Sequence, residues 1–460
     1  MNQYVPTEQI KAWHAFSLRD RYFLLDIENS FLYTVSQAAY HEIKKTEGDP
    51  LDGSDISLME KLAAKLEWRR LKGKIRPLSE AERAAEIQRL GSIKPDLAGL
   101  WLGVSHVCNL ACEYCFANEP AYLGRNKLMT EDVALRGIDY LLENRGNYDN
   151  LSLTFFGGEP LMNLPVIDRV VTYCREKEKT GGKKFNFSMT TNGTLLTPEV
   201  FERLQGYGIY PMISMDGTPE IHNRFRPTKS HQPSWDIIVG NLSRIPEFYK
   251  YLAVRATSVD DDTDMVASLK SLRSVGFRDI RICGLCPNSG LDLDGDGFRM
   301  DVWKKRHMEL VDYALATAET LDDLPESGMH KDALALKNRH RSYFCCSTGR
   351  YYYYLDPDAD LYPCFRLMTP DRREKIGSLG EPFDPERSRV FLQSNVLATS
   401  CYECWARYLC GGPCFGDAFA TTGDYTTPHA VQCEQRKFKL MCAAYVLDHF
   451  QRKGDGQHDH

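Results

Sequence analysis

The sequence predicts an α/β protein in which a partial (β/α)6 barrel of the TIM type lies between a small N-terminal unit and a cysteine-rich C-terminal domain. Three observations lead to this prediction. The chain has 460 residues, enough for two or three units of roughly 100 to 200 residues each. Six short apolar segments alternate with helical segments between residues 98 and 325, which is typical of parallel strands joined by helices. After about residue 340 the apolar periodicity weakens and cysteines become frequent, which predicts a domain held together by metal.

Composition and charge exclude several classes of protein. The formal net charge is -6, from 57 Lys+Arg against 63 Asp+Glu, so no global field favours nucleic acid as a partner. No apolar run approaches the ~20 residues that span a bilayer, and the first residues lack a secretory signal, so we expect a soluble, cytoplasmic protein. Fifteen cysteines in a cytoplasmic chain are not expected to form disulfides, which makes metal or cluster ligation the leading explanation.

The N-terminal unit, residues 1–75, is predicted from a hairpin and two helices. Residues 16–35 alternate apolar and polar side chains in two runs broken at "IENS", which predicts a β-hairpin. Ser36 is expected to open the first helix. The second helix is expected to bury one apolar face made of Ile56, Met59, Ala63 and Leu66. Together these elements have the proportions of a winged helix.

A linker helix is predicted within residues 76–97. Ser79 and Glu82 form an S-x-x-E capping box, and the charged helix that follows is expected to end near Gly91. We expect this helix to connect the N-terminal unit to the barrel.

The barrel is predicted over residues 98–325. Its strand candidates are LWLGVS, LSLTFFGG, KFNFSMTTNG, YPMISMDG, YLAVRATS and DIRICGL. One intervening helix has Thr197 as its N-cap and Pro198 at its first position, and it is expected to stop at Gly206. Because sites in such folds lie at the C-terminal ends of the strands, functional residues are expected there.

Three closely spaced cysteines follow the first of these strands. Cys108, Cys112 and Cys115 are separated by three and then two residues. A [4Fe–4S] cube has four irons, so three thiolates from one loop leave one iron open to another ligand. A zinc site is the alternative, but structural zinc sites close with four nearby Cys or His ligands, and His106 lies only two residues before Cys108.

The motif resembles the hallmark of the radical S-adenosylmethionine (SAM) enzymes, C-x3-C-x-aromatic-C, through Cys108, Cys112, Tyr114 and Cys115. The resemblance implies that S-adenosyl-L-methionine chelates the open iron and is cleaved reductively to a 5'-deoxyadenosyl radical. It also implies a cofactor pocket built from successive strand ends. The implied pocket residues are Tyr114 near the adenine, Gly157, Gly158 and Glu159 at the methionine amine, and Thr190, Thr191, Asn192, Ser214 and Arg226 at the ribose and carboxylate.

The C-terminal region, residues 326–460, resembles the SPASM extension of radical SAM peptide-modifying enzymes. The resemblance implies two auxiliary [4Fe–4S] clusters, and therefore three clusters in all. The second auxiliary cluster would be held by Cys401, Cys404, Cys410 and Cys433. The first would be held by Cys346, Cys364 and Cys414, with Cys345 as a possible fourth ligand. A zinc ribbon is the alternative for this region.

Three positions depart from the family pattern. Ala359 replaces a glycine five residues before Cys364, so the turn there is expected to differ. Cys345 and Cys346 are adjacent, and adjacent residues seldom reach two corners of one cube, which would leave an open iron for a substrate thiolate. Phe365 stands where the sulfatase-maturating branch has an Asp base, which argues against formylglycine formation.

Other motifs are given structural interpretations. The acidic segment 292–298 is similar to a calcium loop, but its twelfth position is Trp303 instead of Glu, so a solvated loop is expected. The run YYYY at 351–354 is expected to form a strand. Four cysteines are interpreted as packing residues, in the barrel or in helices: Cys174, Cys283, Cys286 and Cys442.

The sequence therefore predicts a SAM-dependent maturase of a ribosomally made peptide, most consistent with the formation of a Cys sulfur-to-carbon thioether, as in ranthipeptide and six-cysteine-peptide maturases. The alternatives are the maturase of the quinohemoprotein amine dehydrogenase small subunit, a carbon–carbon cross-linking enzyme, and, from another class, a non-catalytic zinc-binding peptide adaptor. Expected partners are a precursor peptide with an N-terminal leader and a reductant such as flavodoxin or ferredoxin. No catalytic base is identified from the sequence.

Overall fold

The computed structural model describes residues 11–46, 58–72, 74–115, 126–286, 298–369 and 371–455. The segment 287–297, which holds most of the acidic loop at 292–298, lies outside these residues. Within the described segments, none of the helices combines the length and the apolar character that a bilayer crossing requires.

The N-terminal unit contains a three-stranded antiparallel sheet, in which the predicted hairpin is present and one further strand, which was not predicted, precedes it. Its strands are β1 (Trp13–Leu18), β2 (Arg21–Asp26) and β3 (Phe31–Val35). The break at "IENS" is the second turn, and the first is a two-residue turn at Arg19 and Asp20, with Arg19 at φ +54°. This turn lacks the Gly, Asn or Pro that marks most tight turns, so the sequence pattern did not reveal it.

Two helices pack against this sheet, α1 (Gln37–Thr46) and α2 (Leu58–Lys72). As predicted, Ser36 caps α1, its Oγ accepting a hydrogen bond from the Ala39 amide at 3.1 Å. The predicted face of α2 is wrong: Ala63 is exposed, Leu66 is 63% exposed, and Ile56 lies outside the described residues. The buried face is instead the one formed by Ala64, Trp68 and Leu71. Trp68 decides the orientation, because its large ring packs edge-on against Trp13 at 5.1 Å.

The predicted linker helix is α3 (Glu80–Gly91), and its capping box is present. The Ser79 amide donates to Glu82 at 2.8 Å, and Ser79 Oγ accepts from the Glu82 amide at 3.3 Å. The helix also docks on the C-terminal region, since the Arg83 guanidinium donates to the Leu397 carbonyl at 2.6 and 2.9 Å. Helix α3 therefore contacts the C-terminal region as well as connecting the N-terminal unit to the barrel.

All six predicted barrel strands are present. They are β4 (Gly99–Ser105), β5 (Asn150–Gly157), β6 (Lys184–Thr191), β7 (Met212–Ser214), β8 (Ala253–Ser258) and β9 (Asp279–Gly284). They pair in parallel and in chain order, as a partial (β/α)6 barrel requires. The helices of this part are α4 (Glu131–Asn144), α5 (Leu164–Gly181), α6 (Pro198–Gly206), α7 (Pro219–Phe225), α8 (Trp235–Leu242), α9 (Met265–Val275) and α10 (Met300–Thr317). The predicted bounds of α6 are confirmed, with Thr197 Oγ1 accepting from the Val200 amide.

The cysteine-rich region continues the barrel sheet. Its strands are β10 (Tyr352–Leu355), β11 (Asp360–Tyr362) and β12 (Gly377–Ser378). Strand β10, which includes residues 352–354 of the predicted YYYY strand, pairs in parallel with β4, Tyr354 lying opposite Trp101. The helices that follow β9 and α10 are α11 (Ser327–Lys337), α12 (Arg389–Gln393), α13 (Arg407–Cys410), α14 (Phe415–Thr422) and α15 (Ala430–Asp455). Several of their residues, including Leu392 and Tyr408, belong to the same hydrophobic core as the barrel.

A buried ion pair joins the N-terminal unit to this region. Glu28 is 6% exposed and Arg407 is 1% exposed. Their side chains pair directly, and Tyr408 Oη donates to Glu28 Oε2 at 2.8 Å. Arg407 also donates to the Tyr402 carbonyl at 3.1 Å, so the pair organises the segment that carries Cys404 and Cys410.

We expect Glu28→Ala to lower the free energy of unfolding by about 3–5 kcal/mol, because it leaves the Arg407 charge buried without a partner. Urea denaturation of the full chain measures the change. Glu247→Ala is the matched control: its partner Lys250 and Glu247 itself are both about half exposed, and such pairs contribute about 0–1 kcal/mol. Equal losses in the two variants would contradict this role for Glu28.

Candidate radical SAM site

The three-cysteine loop leaves the end of β4 and is pinned by the segment after α7. The Ala111 amide donates to the Pro227 carbonyl at 2.8 Å, and the Glu113 amide to the Phe225 carbonyl at 3.1 Å. Burial raises the pKa of Cys108 and of Cys112 to about 11 in each case, because low-dielectric surroundings disfavour a thiolate. A bound metal would supply the positive charge that such thiolates need.

Two glycines allow the end of β5 to approach this loop. Gly157 has φ +140°, and a Cβ there would overlap the Ser105 carbonyl oxygen. A Cβ on Gly158 would lie 2.6 Å from the Val107 carbonyl oxygen. The Gly158 amide instead donates to the Ser105 carbonyl at 2.7 Å, so the cysteine loop and the β5 end form one tight cradle.

Glu159 connects the ends of β5 and β6. Its side chain is fully buried, Oε1 accepting from the Leu161 amide at 3.0 Å and from Thr191 Oγ1 at 2.7 Å. Oε2 accepts from the Asn192 amide at 2.7 Å. Burial raises the pKa of this carboxyl, although the three hydrogen bonds oppose the shift. The contact of Glu159 with the methionine amine stays a prediction. In the structure, the Glu159 side chain holds the ends of β5 and β6 together through these hydrogen bonds.

A polar chain links the β6 end to the first cysteine. Asn192 Nδ2 donates to Asn109 Oδ1 at 2.8 Å, and Asn109 Nδ2 donates to Thr194 Oγ1 at 2.8 Å. Asn192 Nδ2 also lies 3.8 Å from Cys108 Sγ. Sequence reasoning missed Asn109 and Thr194, although Asn109 directly follows Cys108. Thr190, by contrast, is half-buried at the end of β6 and takes no part in this chain.

Asp216 is a further residue that sequence reasoning missed. It is fully buried, and Arg226 donates two hydrogen bonds to its carboxylate, from Nε to Oδ2 at 2.8 Å and from Nη2 to Oδ1 at 3.1 Å. Tyr114 Oη donates to Oδ2, and the Thr257 amide donates to Oδ1 at 2.7 Å. Burial opposes ionisation, but Arg226 outweighs it and lowers the pKa of Asp216. The signal that could have revealed Asp216 in the sequence is an Asp at the end of a predicted strand, in "SMDG".

Asp216 therefore decides where two predicted cofactor residues lie. The Arg226 guanidinium lies 5.2 Å from the centroid of the Tyr114 ring, beside the cysteine loop. Tyr114 packs in a small apolar group with Phe225, Val259 and Leu285. The predicted residue Ser214 is half-buried at the end of β7. The structure thus brings all the predicted cofactor residues to the C-terminal ends of β4 to β7.

The cysteines assigned to the second auxiliary cluster surround one cavity. This cavity, about 290 Å³, is lined by Cys401, Cys404, Cys410, Cys433 and also Cys414. Among the described residues, no three Cys, His, Asp or Glu side chains converge closely enough to hold a single metal ion. A cube needs thiolates that are farther apart, because each one binds a different iron.

The cysteines assigned to the first auxiliary cluster lie near β10 and β11. Cys346 is within electrostatic reach of both Cys364 and Cys414. The Sγ atoms of Cys345 and Cys346 are 3.6 Å apart, a separation unsuited to two thiolates on different irons, whose Fe–S bonds diverge. Arg366 donates to Cys414 Sγ at 3.5 Å and pairs with the buried Asp417.

Four packed aromatic side chains, here called the aromatic wall, lie next to the cysteine-rich region. Phe365 packs against Phe156 and Trp101, with ring centroids 4.3 and 5.0 Å apart, and against Tyr354 at 6.1 Å. Tyr354 Oη is 2.9 Å from Nε2 of His106, two residues before Cys108. At position 365, where the sequence predicts no carboxylate base, the structure therefore has the packed ring of Phe365.

Four further cysteines were interpreted as packing residues. Cys174 and Cys442 are buried, which confirms their interpretation. Cys283 and Cys286 are only half-buried, and Cys283 lines a second cavity beside β9.

Comparisons with known proteins agree with this geometry. Residues 102–239 match the family model described as "Radical SAM superfamily". The chain is similar to the serine-type anaerobic sulfatase-maturating enzyme of Bacteroides thetaiotaomicron, with 33% identity over 348 residues, covering 70% of this chain and 83% of that relative. It is also similar to the radical SAM cyclopropyl synthase TigE of Paramaledivibacter caminithermalis, with 25% identity over 73% of this chain and 72% of TigE.

Solved structures show the same fold. Native anSMEcpe with bound AdoMet superposes with a TM-score of 0.63 at 17% identity, covering 77% of this chain and 99% of that one. Streptococcus suis SuiB superposes with a TM-score of 0.51 at 13% identity, covering 92% of this chain and 99% of that one. From the cysteine loop, the strand-end residues and these similarities, we conclude that the chain is an enzyme of the radical SAM superfamily.

Proposed function

We propose that this enzyme is a peptide maturase that forms a Cys sulfur-to-carbon thioether in a ribosomally made peptide. The observation that carries the proposal is the presence of two separate groups of cysteines, one in the loop that follows β4 and the other in the segments that flank β10 and β11. One site suits the generation of a radical, and the other has four cysteines of which two, Cys345 and Cys346, are adjacent, so that three could bind a cube and leave one iron open. The similarity to TigE and to sulfatase-maturating enzymes supports an action on peptides or proteins.

The residues fit the cofactors that the family requires. Cys108, Cys112 and Cys115 would hold the SAM-binding cluster, and the Gly157–Gly158 cradle is too tight for a side chain. When bound, the cluster and SAM supply a 5'-deoxyadenosyl radical that removes a hydrogen atom from a peptide carbon. The chain's own groups hold the strand ends in place: Glu159 ties β5 to β6, and Asp216 fixes Arg226 beside the cysteine loop.

The Cys345–Cys346 pair supports the thioether as the product. If Cys346, Cys364 and Cys414 bind the first auxiliary cluster, one iron stays open to a substrate thiolate, which the metal itself would deprotonate. Each link would transfer one hydrogen atom from carbon to the 5'-deoxyadenosyl radical and release one proton from sulfur, the remaining electron passing to an auxiliary cluster, so the product is two hydrogens lighter. Phe365 in the aromatic wall supports the exclusion of formylglycine formation. A thioether to Asp or Glu carbons and a carbon–carbon link are the alternative products.

The domain assignment belongs to this proposal. Residues 1–75 would recognise the leader of the precursor peptide by adding a strand to an edge of the β1–β3 sheet. Residues 76–97 would form the linker, 98–325 the barrel, and 326–460 a SPASM domain with two auxiliary clusters. A flavodoxin or ferredoxin would supply the electron.

Anaerobic reconstitution followed by reductive turnover tests the function. We expect about twelve irons per chain, release of 5'-deoxyadenosine, and a peptide product two mass units lighter per link, with one thiol no longer alkylatable. The peptide is taken from the short coding sequence beside the gene. Zinc in place of iron, with SAM intact, would instead support the adaptor; an unchanged thiol count after turnover would exclude the thioether.

The two adjacent cysteines are expected to differ in iron binding. Cys346→Ala should lower the iron content toward about eight per chain, because the first auxiliary cluster loses a ligand, whereas Cys345→Ala should stay near about twelve. Iron analysis and the electron paramagnetic resonance spectrum of the reduced protein measure the difference. The reverse order of the two variants would assign the ligand to Cys345.

A further inference from the structure

Two arginines face each other on the last two barrel strands. Arg255 of β8 pairs in register with Arg281 of β9, and Ser214 of β7 lies opposite Arg255 on the other side. Residues in register project from the same face of a sheet, so the two guanidinium groups share one face. Both arginines are exposed, and neither forms an ion pair with a carboxylate in the described parts of the chain. Like charges directly opposite destabilise a sheet, which makes this an unfavourable pairing without an anion.

A cationic cavity lies beside β9, bounded by α10, α11 and α15. Its volume is about 510 Å³, within the range of roughly 300–1,000 Å³ that is typical of ligand sites. Four cations and two carboxylates line it: Arg281, Lys331, Arg436, Lys439, Glu326 and Asp332. The lining therefore has more positive than negative groups, although the chain as a whole has a net charge of -6.

The two carboxylates of the lining already accept hydrogen bonds from groups of the protein. Glu326 is buried, with Oε2 accepting from the Met329 amide at 2.6 Å and Oε1 from the Ile282 amide at 3.1 Å. Asp332 accepts from Arg436 Nη1 at 2.6 Å. Glu326 is within electrostatic reach of Lys439, but no carboxylate of the described residues forms a salt bridge with any of the other three cations: Arg281, Lys331 and Lys439.

A buried polar group also lines the cavity. His307 is 6% exposed and stacks on Trp303, with ring centroids 5.2 Å apart. Its Nδ1 has no hydrogen-bond partner in the described structure. A buried imidazole nitrogen without a partner is costly, and a ligand in the cavity would satisfy it.

The cavity reaches the cysteine-rich region, because Cys345 and Cys410 are among its lining residues. A peptide held there would have its neighbouring residues close to the Cys345–Cys346 pair. We propose that this cavity binds an acidic segment of the substrate peptide through carboxylates on Arg281, Lys331 and Lys439, with Arg255 paired beside Arg281 in the sheet. This inference rests on the proposed function, because it takes the substrate to be a peptide.

Binding of a labelled acidic peptide tests the inference. The reconstituted full-length enzyme, saturated with SAM, is titrated against fluorescein-labelled hexaglutamate and hexaglutamine, with fluorescence anisotropy as the readout. We expect hexaglutamate to bind, hexaglutamine not to bind, and salt to weaken the interaction between about 0.05 M and about 0.5 M NaCl. Arg281→Gln with Lys331→Gln should weaken hexaglutamate binding by about tenfold or more. The matched control replaces two exposed cations outside the cavity, Arg273→Gln with Lys305→Gln, and should bind like the wild type.

Three results would overturn the inference: no binding of hexaglutamate, equal weakening by the two double variants, or weakened SAM binding with hexaglutamate binding intact. The last result would assign the arginines to the cofactor carboxylate. Cleavage of SAM without acidic-peptide binding would leave the proposed function standing and remove only this inference. Binding of hexaglutamate without any SAM cleavage would leave this inference standing and contradict the proposed function.

Discussion

Replacing Cys108, Cys112 and Cys115 together by alanine is expected to abolish SAM cleavage and to lower the iron content from about twelve to about eight per chain. The reason is local: the three thiols lie in one pinned loop, and the cysteines assigned to the auxiliary clusters lie on other segments of the chain. Iron analysis and the yield of 5'-deoxyadenosine under dithionite measure the two effects.

Cys174→Ala is the control for this variant. Cys174 is fully buried in α5 and is assigned to the core, so its iron content and SAM cleavage should match the wild type. A triple variant that lost all its iron would show that the three sites do not assemble independently. If the triple variant still cleaved SAM, the cysteine loop would not be required for SAM cleavage.

Asp216→Asn is expected to lower SAM cleavage by on the order of 100-fold, because small displacements of groups that position a cofactor have effects of this size. The substitution keeps the shape of the side chain but leaves the Arg226 guanidinium buried without its counter-charge, which costs about 3–5 kcal/mol. The pKa of Asp216 is lowered in the folded state, so the stabilisation is present above the ordinary carboxyl range and is lost only as the pH falls into acid. The effect should therefore be constant around neutral pH.

Asp236→Asn serves as the comparison, since Asp236 is exposed in the first turn of α8. It should cleave SAM at the wild-type rate. Binding of SAM to Asp216→Asn, measured by equilibrium dialysis, separates loss of the site from loss of reduction. Wild-type cleavage by Asp216→Asn would mean that Arg226 is held in place by its surroundings alone.

The sequence was most informative where a motif is local. The C-x3-C-x2-C loop, the capping box of α3 and the bounds of α6 depend on residues within a few positions of each other, and the structure has them as predicted. The six barrel strands were also visible, because buried strands in a parallel sheet are continuous apolar runs. The unpredicted first turn of the N-terminal sheet and the wrong face of α2 have the opposite origin: a turn without Gly, Asn or Pro, and a tryptophan whose burial depends on a partner in another element.

By itself, the sequence determined the chemistry of this protein: which side chains can bind iron, and which strand ends carry them. Only the tertiary structure decided how those ends are held and what surrounds them. Asp216, Asn109 and Thr194 became visible only when strands far apart in the chain were brought together. The same holds for the pairing of Arg255 with Arg281 and for the joining of β10 to β4. Register between strands is set by packing across the whole sheet, and no short stretch of sequence contains that information.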